Sequence, residues 1–207
     1  MNSDPTVFVV DDDDSVRASL SRLLTASGFQ VEAYASAQEF LAEPKGARPG
    51  CLLLDLRMPG IDGLELQEAV SNGNSGQPIV FLTGHGSVSE SVAAMKAGAT
   101  DFLEKPADPS ELVATVKRAI ELDARQRRNS VELSDLVRRL EALTAREREV
   151  FERVVAGRLN KQIGYDLGVS EKTVKVHRGR VMEKMEAPSL AELARMAERL
   201  GVGVNSD

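Results

Sequence analysis

The chain of 207 residues has no tryptophan, two tyrosines and six phenylalanines. Aromatic residues make up only 4% of it, which argues against the stacking platforms that hold single-stranded nucleic acid. A single cysteine excludes a disulfide framework and any multi-cysteine metal site. The N-terminus, MNSDPTVFVVDDDD, carries acids where a secretory signal needs bases. No apolar run approaches the ~18 residues of a membrane span. A cytoplasmic protein with no membrane partner is expected.

The rest of the composition is that of a folded chain, 42% hydrophobic and 28% charged, long enough for one large domain or two small ones. The net charge of −6 is unevenly spread. Residues 1–122 carry 18 acids and 9 bases, a net of −9, and residues 144–207 carry 10 acids and 12 bases, a net of +2. An acidic front and a mildly basic back imply two domains with different partners.

In the front part, short apolar runs alternate with helical patterns. TVFVV (6–10), QVEAY (30–34), CLLL (51–54), PIVFL (78–82) and DFLE (101–104) read as strands,. Helical spacing recurs at Val16, Leu20, Leu23 and Leu24, from Ser36 to Ala42, from Gly63 to Val70 and from Val88 to Ala97,. Asp14 reads as the cap of the first helix. Asp108-Pro109-Ser110-Glu111 reads as a capped start of the fifth,. Five βα units predict a parallel sheet covered on both faces, with the ligand site beyond the strands' carboxyl ends.

Those ends carry Asp11 and Asp12, Asp55, Thr83, and Lys105 followed by Pro106. Clustered carboxylates call for a hard dication, Mg2+ or Mn2+, which leaves room for a phosphate oxygen. A carboxylate beside such an ion can attack phosphorus and become an aspartyl phosphate, while the ion and a lysine offset the phosphoryl charge. Asp55, alone on the central strand, is the candidate nucleophile. Asp11 and Asp12 are the candidate metal holders, and Lys105 and Thr83 the phosphoryl partners. Cys51 reads as a core thiol, and His85 as a loop residue without a metal role.

VFVVDDD, LLLDLRMPGIDG, FLTGHG and AGATDFLEKP together resemble the receiver domain of bacterial two-component response regulators, over residues 5 to about 122. The resemblance implies a flavodoxin-like fold with strand order 2-1-3-4-5 and phosphorylation of Asp55 by a sensor histidine kinase. It further implies Mg2+ binding by Asp11, Asp12, Asp55 and the Arg57 backbone carbonyl. Thr83 and Lys105 would bind the phosphoryl group, Phe102 would be a switch residue, and Lys105-Pro106 a cis peptide. Ala107 departs from the phenylalanine common after the Lys-Pro pair.

Residues 123–142 read as a helical linker. Leu122, Gln126, Asn129, Leu133, Leu136, Leu140 and Leu143 follow coiled-coil spacing, interrupted by polar Gln126 and Asn129 among basic neighbours,. Two readings stand: a long helix that pairs between subunits, or two helices joined near Arg128 to Ser130.

Residues 143–207 read as four short helices. Thr144 with Glu147, Asn160, Ser170 and Ser189 mark their starts, and Gly157, Gly168 and Gly201 their stops,. The second and third helices form a helix-turn-helix layout, and Lys172, Lys175, Arg178 and Arg180 are expected on the outer surface of the third. LTAREREVFERVVAGRLNKQIGYDLGVSEKTVKVHRGRVMEKM resembles the LuxR-type DNA-binding domain of NarL/FixJ-family regulators. The resemblance implies that Lys175 and Val176 face base edges, and that Lys161, Thr173 and Arg178 contact the DNA backbone. A further base-facing position, commonly lysine in relatives, is Gly179.

The combined reading is a transcriptional response regulator. Phosphorylation would promote a receiver homodimer through the surface near Phe102 and the helix from Val88 to Ala97. That dimer would bind double-stranded promoter DNA and meet RNA polymerase, with no external substrate turned over. Two rivals remain. One is a Mg2+-dependent phosphatase, against which Arg57 stands where a second acid would sit two residues after Asp55. The other is a phospho-relay protein that never binds DNA, against which the basic third helix counts.

Overall fold

The alternation of buried side chains along the first strand sets the layout of the front half. The computed structural model describes residues 4–43, 48–73, 76–84 and 88–203. Strand β1 (Thr6–Val10) is buried along its whole length, as a central strand covered on both faces must be. It pairs in parallel with β2 (Gln30–Tyr34) on one side and β3 (Gly50–Leu54) on the other. Strands β4 (Ile79–Thr83) and β5 (Asp101–Glu104) extend the sheet in the order 2-1-3-4-5. This is the flavodoxin-like order the sequence reading anticipates.

Side chains alternate across the sheet. Phe8, Val10, Leu52, Leu54 and Phe81 join the core beneath helices α2 (Ala37–Ala42), α3 (Gly63–Asn72) and α4 (Val88–Lys96). Val7, Val9, Leu53, Val80 and Leu82 face α1 (Asp14–Ala26) and the first part of α5 (Pro109–Glu141), which contributes Leu112, Val116 and Ala119. Cys51 belongs to this second core, fully buried, and burial pushes its thiol up to about 12.

The helix starts follow from local chemistry, with two corrections. Asp13, not Asp14, caps α1: its carboxylate accepts the N–H groups of Ser15 and Val16. Asp14 enters the helix and instead pairs with Arg17. Ser36 caps α2, Asp62 with Glu65 forms a capping box on α3, and Asp108 accepts the Ser110 and Glu111 N–H groups at α5.

The chain folds as two compact units, Met1–Arg127 and Arg128–Asp207, and α5 carries residues of both. In the first unit its course is fixed by Asp123, 2% exposed. The Asp123 carboxylate accepts the Gly50 N–H at 2.9 Å and the Arg127 Nε–H at 2.7 and 2.8 Å, and Arg127 also donates to the Arg48 carbonyl. In the second unit, Leu136 and Leu140 of α5 are buried and Leu133 is 41% exposed.

The second unit adds α6 (Ala145–Val155), α7 (Asn160–Leu167), α8 (Glu171–Lys184) and α9 (Leu190–Arg199), the four helices expected. Their shared core is built from Leu140, Leu143, Phe151, Ile163, Val174, Val181, Met185 and Leu193, among others. Thr144 and Glu147 form the predicted capping box. Glu147 is buried, and its carboxylate also takes a 2.6 Å contact from Lys184 of α8. That ammonium and the Thr144 N–H hold the carboxyl down at about 2. Asn160 does not cap α7; Leu159 occupies the cap position, and the Gln162 side chain accepts its N–H. Among the described residues, no helix is long and apolar enough to cross a membrane.

Candidate functional site

At the carboxyl ends of β1, β3, β4 and β5, the sheet gathers residues far apart in sequence. Asp11 follows β1, Asp55 follows β3, Thr83 ends β4 and Lys105 follows β5. The Lys105 ammonium lies 2.6 Å from Asp11 Oδ2 and 3.3 Å from Asp55 Oδ2. Lys105 N–H donates to the Thr83 carbonyl at 2.8 Å, which fixes the lysine's root beside the threonine. Asp11 is 2% and Asp55 9% exposed, while Asp12 is exposed.

Backbone groups orient the two buried acids. Leu56 N–H donates to Asp55 Oδ1 at 2.8 Å, and Asp13 N–H to Asp11 Oδ1 at 2.9 Å. Arg17 donates to the Asp11 carbonyl at 2.6 Å, closing the acidic loop against α1. Burial pushes the Asp55 carboxyl above the usual carboxylate range, and the negative charge of Asp11 adds to this. The Lys105 ammonium and the Leu56 N–H pull the other way.

One carboxylate oxygen each from Asp11, Asp12 and Asp55 can be chosen so that all lie within 4.8 Å of one another. Oxygen ligands about 2.1 Å from Mg2+ in an octahedron stand roughly 3–4 Å apart, so small side-chain movements would close these donors on an ion. The charges agree: among the described residues, three carboxylates face the one Lys105 ammonium, a deficit that a dication fills.

Gly63 lies directly behind this site. A Cβ there would come within 2.4 Å of the Asp55 carbonyl oxygen and 2.9 Å of the Phe81 ring, so α3 can pack under β3 only through a glycine. The motif LLLDLRMPGIDG contains this glycine, but nothing in its spacing reveals the close approach.

The Arg57 side chain is paired with Glu90 of α4 at 3.0 Å. Phe102, on β5, is half-buried against the first core, with its ring centroid 6.2 Å from that of Phe81. The Lys105-Pro106 peptide is cis. His85 lies outside the described residues.

The second unit holds the other predicted set. Helix α7, the short turn and α8 meet tightly at Gly164, where a Cβ would sit 2.8 Å from the Val169 carbonyl oxygen. Ser170 caps α8 by accepting the Thr173 N–H at 3.1 Å, and its hydroxyl meets that of Thr173 at 2.8 Å. Lys172, Lys175, Arg180 and, on α7, Lys161 are exposed. Val176 is 51% exposed. Arg178 differs from the expectation of an outer-surface position: it is half-buried and donates to Asn160 Oδ1 at 3.1 Å. It thereby ties α8 to the first turn of α7, the turn that carries Lys161. His177 is half-buried, with its Nδ1 buried and lacking a hydrogen-bond partner.

Comparison with known proteins matches each unit to a known family. The response regulator receiver domain family matches residues 7–117, and the luxR family of bacterial regulatory proteins matches residues 141–197. Nodulation protein W of Bradyrhizobium diazoefficiens is 44% identical over 96% of this chain and 88% of its own. The transcriptional regulatory protein FixJ of Rhizobium meliloti is 44% identical over 97% of this chain and 98% of its own. The solved structure of the response regulator StyR is 44% identical, with a TM-score of 0.83 over 95% of this chain and 100% of that one. The chain therefore belongs to the NarL/FixJ family of two-component response regulators, DNA-binding transcriptional regulators that join a receiver to a LuxR-type helix-turn-helix domain.

Proposed function

We propose that Asp55 is the phosphoryl acceptor and that its phosphorylation turns on promoter binding by the second unit. The observation that carries this is the convergence of Asp55, Asp11, Asp12 and Lys105 at the end of the central strand. An Asp55 carboxylate oxygen attacks the phosphorus of a phosphohistidine on the partner kinase. The P–O bond forms, the P–N bond breaks, and the imidazole keeps the electron pair. Asp11, Asp12, Asp55 and the Arg57 carbonyl would hold Mg2+ or Mn2+, which when bound supplies positive charge against the phosphoryl oxygens. Lys105 offers its ammonium, and Thr83 its hydroxyl, to those same oxygens.

Asp55 is the natural acceptor because Lys105 is held closer to Asp11, at 2.6 Å against 3.3 Å, and Asp12 is exposed. Movement of Thr83 toward a phosphoryl group would leave space toward which the half-buried Phe102 ring turns. The surface altered is that of β5 and α4, which carries exposed Val92 and Met95. A second receiver docking there makes a two-fold dimer, which suits two-fold DNA sites. The linkage is a population shift: phosphate favours one receiver state, and that state favours the dimer. Lys161, Lys172, Thr173, Lys175, Val176, Arg178 and Arg180 form the DNA-contacting set, and RNA polymerase is the downstream partner. This is a cytoplasmic regulator that turns over no external substrate.

Incubation with Mg2+ and an acyl phosphate, read by intact mass, tests the acceptor. One phosphoryl adduct is expected, absent in Asp55→Asn. An adduct of equal yield in that variant would move the site elsewhere. Steady release of phosphate from small phosphoesters would favour the phosphatase reading.

A further inference from the structure

We infer that Arg139, on the part of α5 that belongs to the second unit, is a positioning residue for DNA binding: it grips the carboxyl end of α8 and fixes the angle at which that helix is presented to a duplex. This rests on the reading of α8 as the helix presented to DNA and deepens it by naming what holds the helix.

Glycine ends the other three short helices of the second unit. Gly157, Gly168 and Gly201 stand at the ends of α6, α7 and α9 with φ of 77°, 65° and 66°, left-handed backbone that glycine adopts without strain. Helix α8 ends in the same kind of turn. The Glu186 N–H donates to the Glu183 carbonyl at 3.0 Å, and the Ala187 N–H to the Met182 carbonyl at 2.9 Å, the paired bonds of a Schellman motif. Here the left-handed residue is Glu186, with φ of 53°, and among the described residues it is the one non-glycine residue with positive φ.

Arg139 closes on this turn. Its Nη1–H donates to the Met185 carbonyl at 3.1 Å, and its Nη2 lies 3.0 Å from Glu186 Oε2. One turn back along α5, Asp135 Oδ2 lies 2.6 Å from the same Nη2 and steadies the guanidinium. The last carbonyls of a helix lack internal partners and carry the negative end of its dipole, so a guanidinium suits the Met185 carbonyl. The Arg139 side chain is 22% exposed, and its Nε is buried with no hydrogen-bond partner. Strain at Glu186 and an unpartnered donor at Arg139 both weigh against stability. What they secure is a fixed junction between α5 and the end of α8.

Val174, Val181 and Met185 hold α8 on the core, but apolar attraction is non-directional. Directional bonds meet α8 at two places. Midway along, Arg178 donates to Asn160 of α7 at 3.1 Å, and at the far end stands Arg139. Two points fix the direction of a rod, whereas one leaves it free to pivot. Base-edge hydrogen bonds need donor and acceptor about 2.7–3.2 Å apart, so a pivot of about 1 Å breaks them. Phosphate contacts through flexible lysine stems follow the movement. Loss of the grip should therefore weaken sequence-specific binding and spare non-specific binding.

The test uses the full chain with Mg2+ and an acyl phosphate, a duplex that wild type selects from a random pool, and a scrambled duplex of the same length. Arg139→Met should bind the selected duplex about ten-fold more weakly. Its affinity for the scrambled duplex and the salt dependence of binding should stay as in wild type. Arg139→Lys still reaches the Met185 carbonyl and should recover most of the loss. Glu186→Gly relieves the left-handed strain and removes the carboxylate, so it should melt higher yet bind the selected duplex about three-fold more weakly. A merely structural pair would not give these opposite signs. Equal losses on both duplexes in step with the melting temperature, or unchanged binding of the selected duplex by Arg139→Met, would overturn the grip. Failure of wild type to enrich any duplex would instead overturn the DNA reading beneath it.

Discussion

Asp11 and Asp55 share one ammonium, at 2.6 and 3.3 Å, and Asp12 stands beside them exposed. Three carboxylates against one lysine leave the site short of positive charge, so added Mg2+ should stabilise the first unit. At a concentration one hundred times the dissociation constant, the gain is about 2.7 kcal/mol. Thermal melts with and without Mg2+ measure it, and Asp12→Asn should lose most of the increment while melting normally in chelator. An equal increment in that variant would exclude Asp12 as a ligand. The strand-end rule made these residues legible from sequence, because a parallel sheet sends the residue after each strand to one edge. Arg17 and Gly63 were not legible. The bond from Arg17 to the Asp11 carbonyl depends on how α1 leaves the loop, and the glycine is required only once α3 packs behind Asp55. The cap of α1 is Asp13 rather than Asp14. In a run of four aspartates, composition cannot distinguish neighbours, and only the backbone turn decides.

Helix α6 begins in a capping box whose acid, Glu147, also meets Lys184 of α8. The fold lowers this carboxyl to about 2 from an ordinary value of 4.5. Its contribution is complete above the unfolded value and is lost as pH falls from 4.5 toward 2,. Amide exchange of α6 should therefore accelerate across that acid window. Lys184→Met should cost about 1–2 kcal/mol at neutral pH, discounted for the lysine's partial exposure. Acid-insensitive exchange would show that the pair does not hold the helices. On α5, Asp123 joins the Gly50 N–H to Arg127. Asp123→Ala strands a buried N–H and a guanidinium, and should cost about 3 kcal/mol in urea unfolding of the first unit. A loss below about 1 kcal/mol would place it among exposed pairs. The capping box was legible as Thr144 and Glu147 three residues apart. Both long-range partners, Lys184 and Gly50, were invisible, since no local spacing relates them.

The chain joins an α/β unit with a carboxylate cluster at the strand ends to a helical unit whose α8 exposes Lys172, Lys175 and Arg180. The alternation of strand and helix signals, and the short capped helices after Leu143, made that division readable. The linker was harder, because its heptad spacing fits several partners. Leu140 packs in the core of the second unit, and Leu136 beside it on α5 is buried. We propose that chemistry at Asp55 controls the assembly and DNA binding of the whole chain. The most direct test is the solution mass and promoter affinity of wild type and Asp55→Asn, each with Mg2+ and with or without an acyl phosphate. A phosphate-dependent dimer of the wild type with tightened DNA binding is expected, and neither change in Asp55→Asn. A wild type whose mass and affinity ignore the phosphoryl donor, despite a confirmed adduct on Asp55, would contradict it.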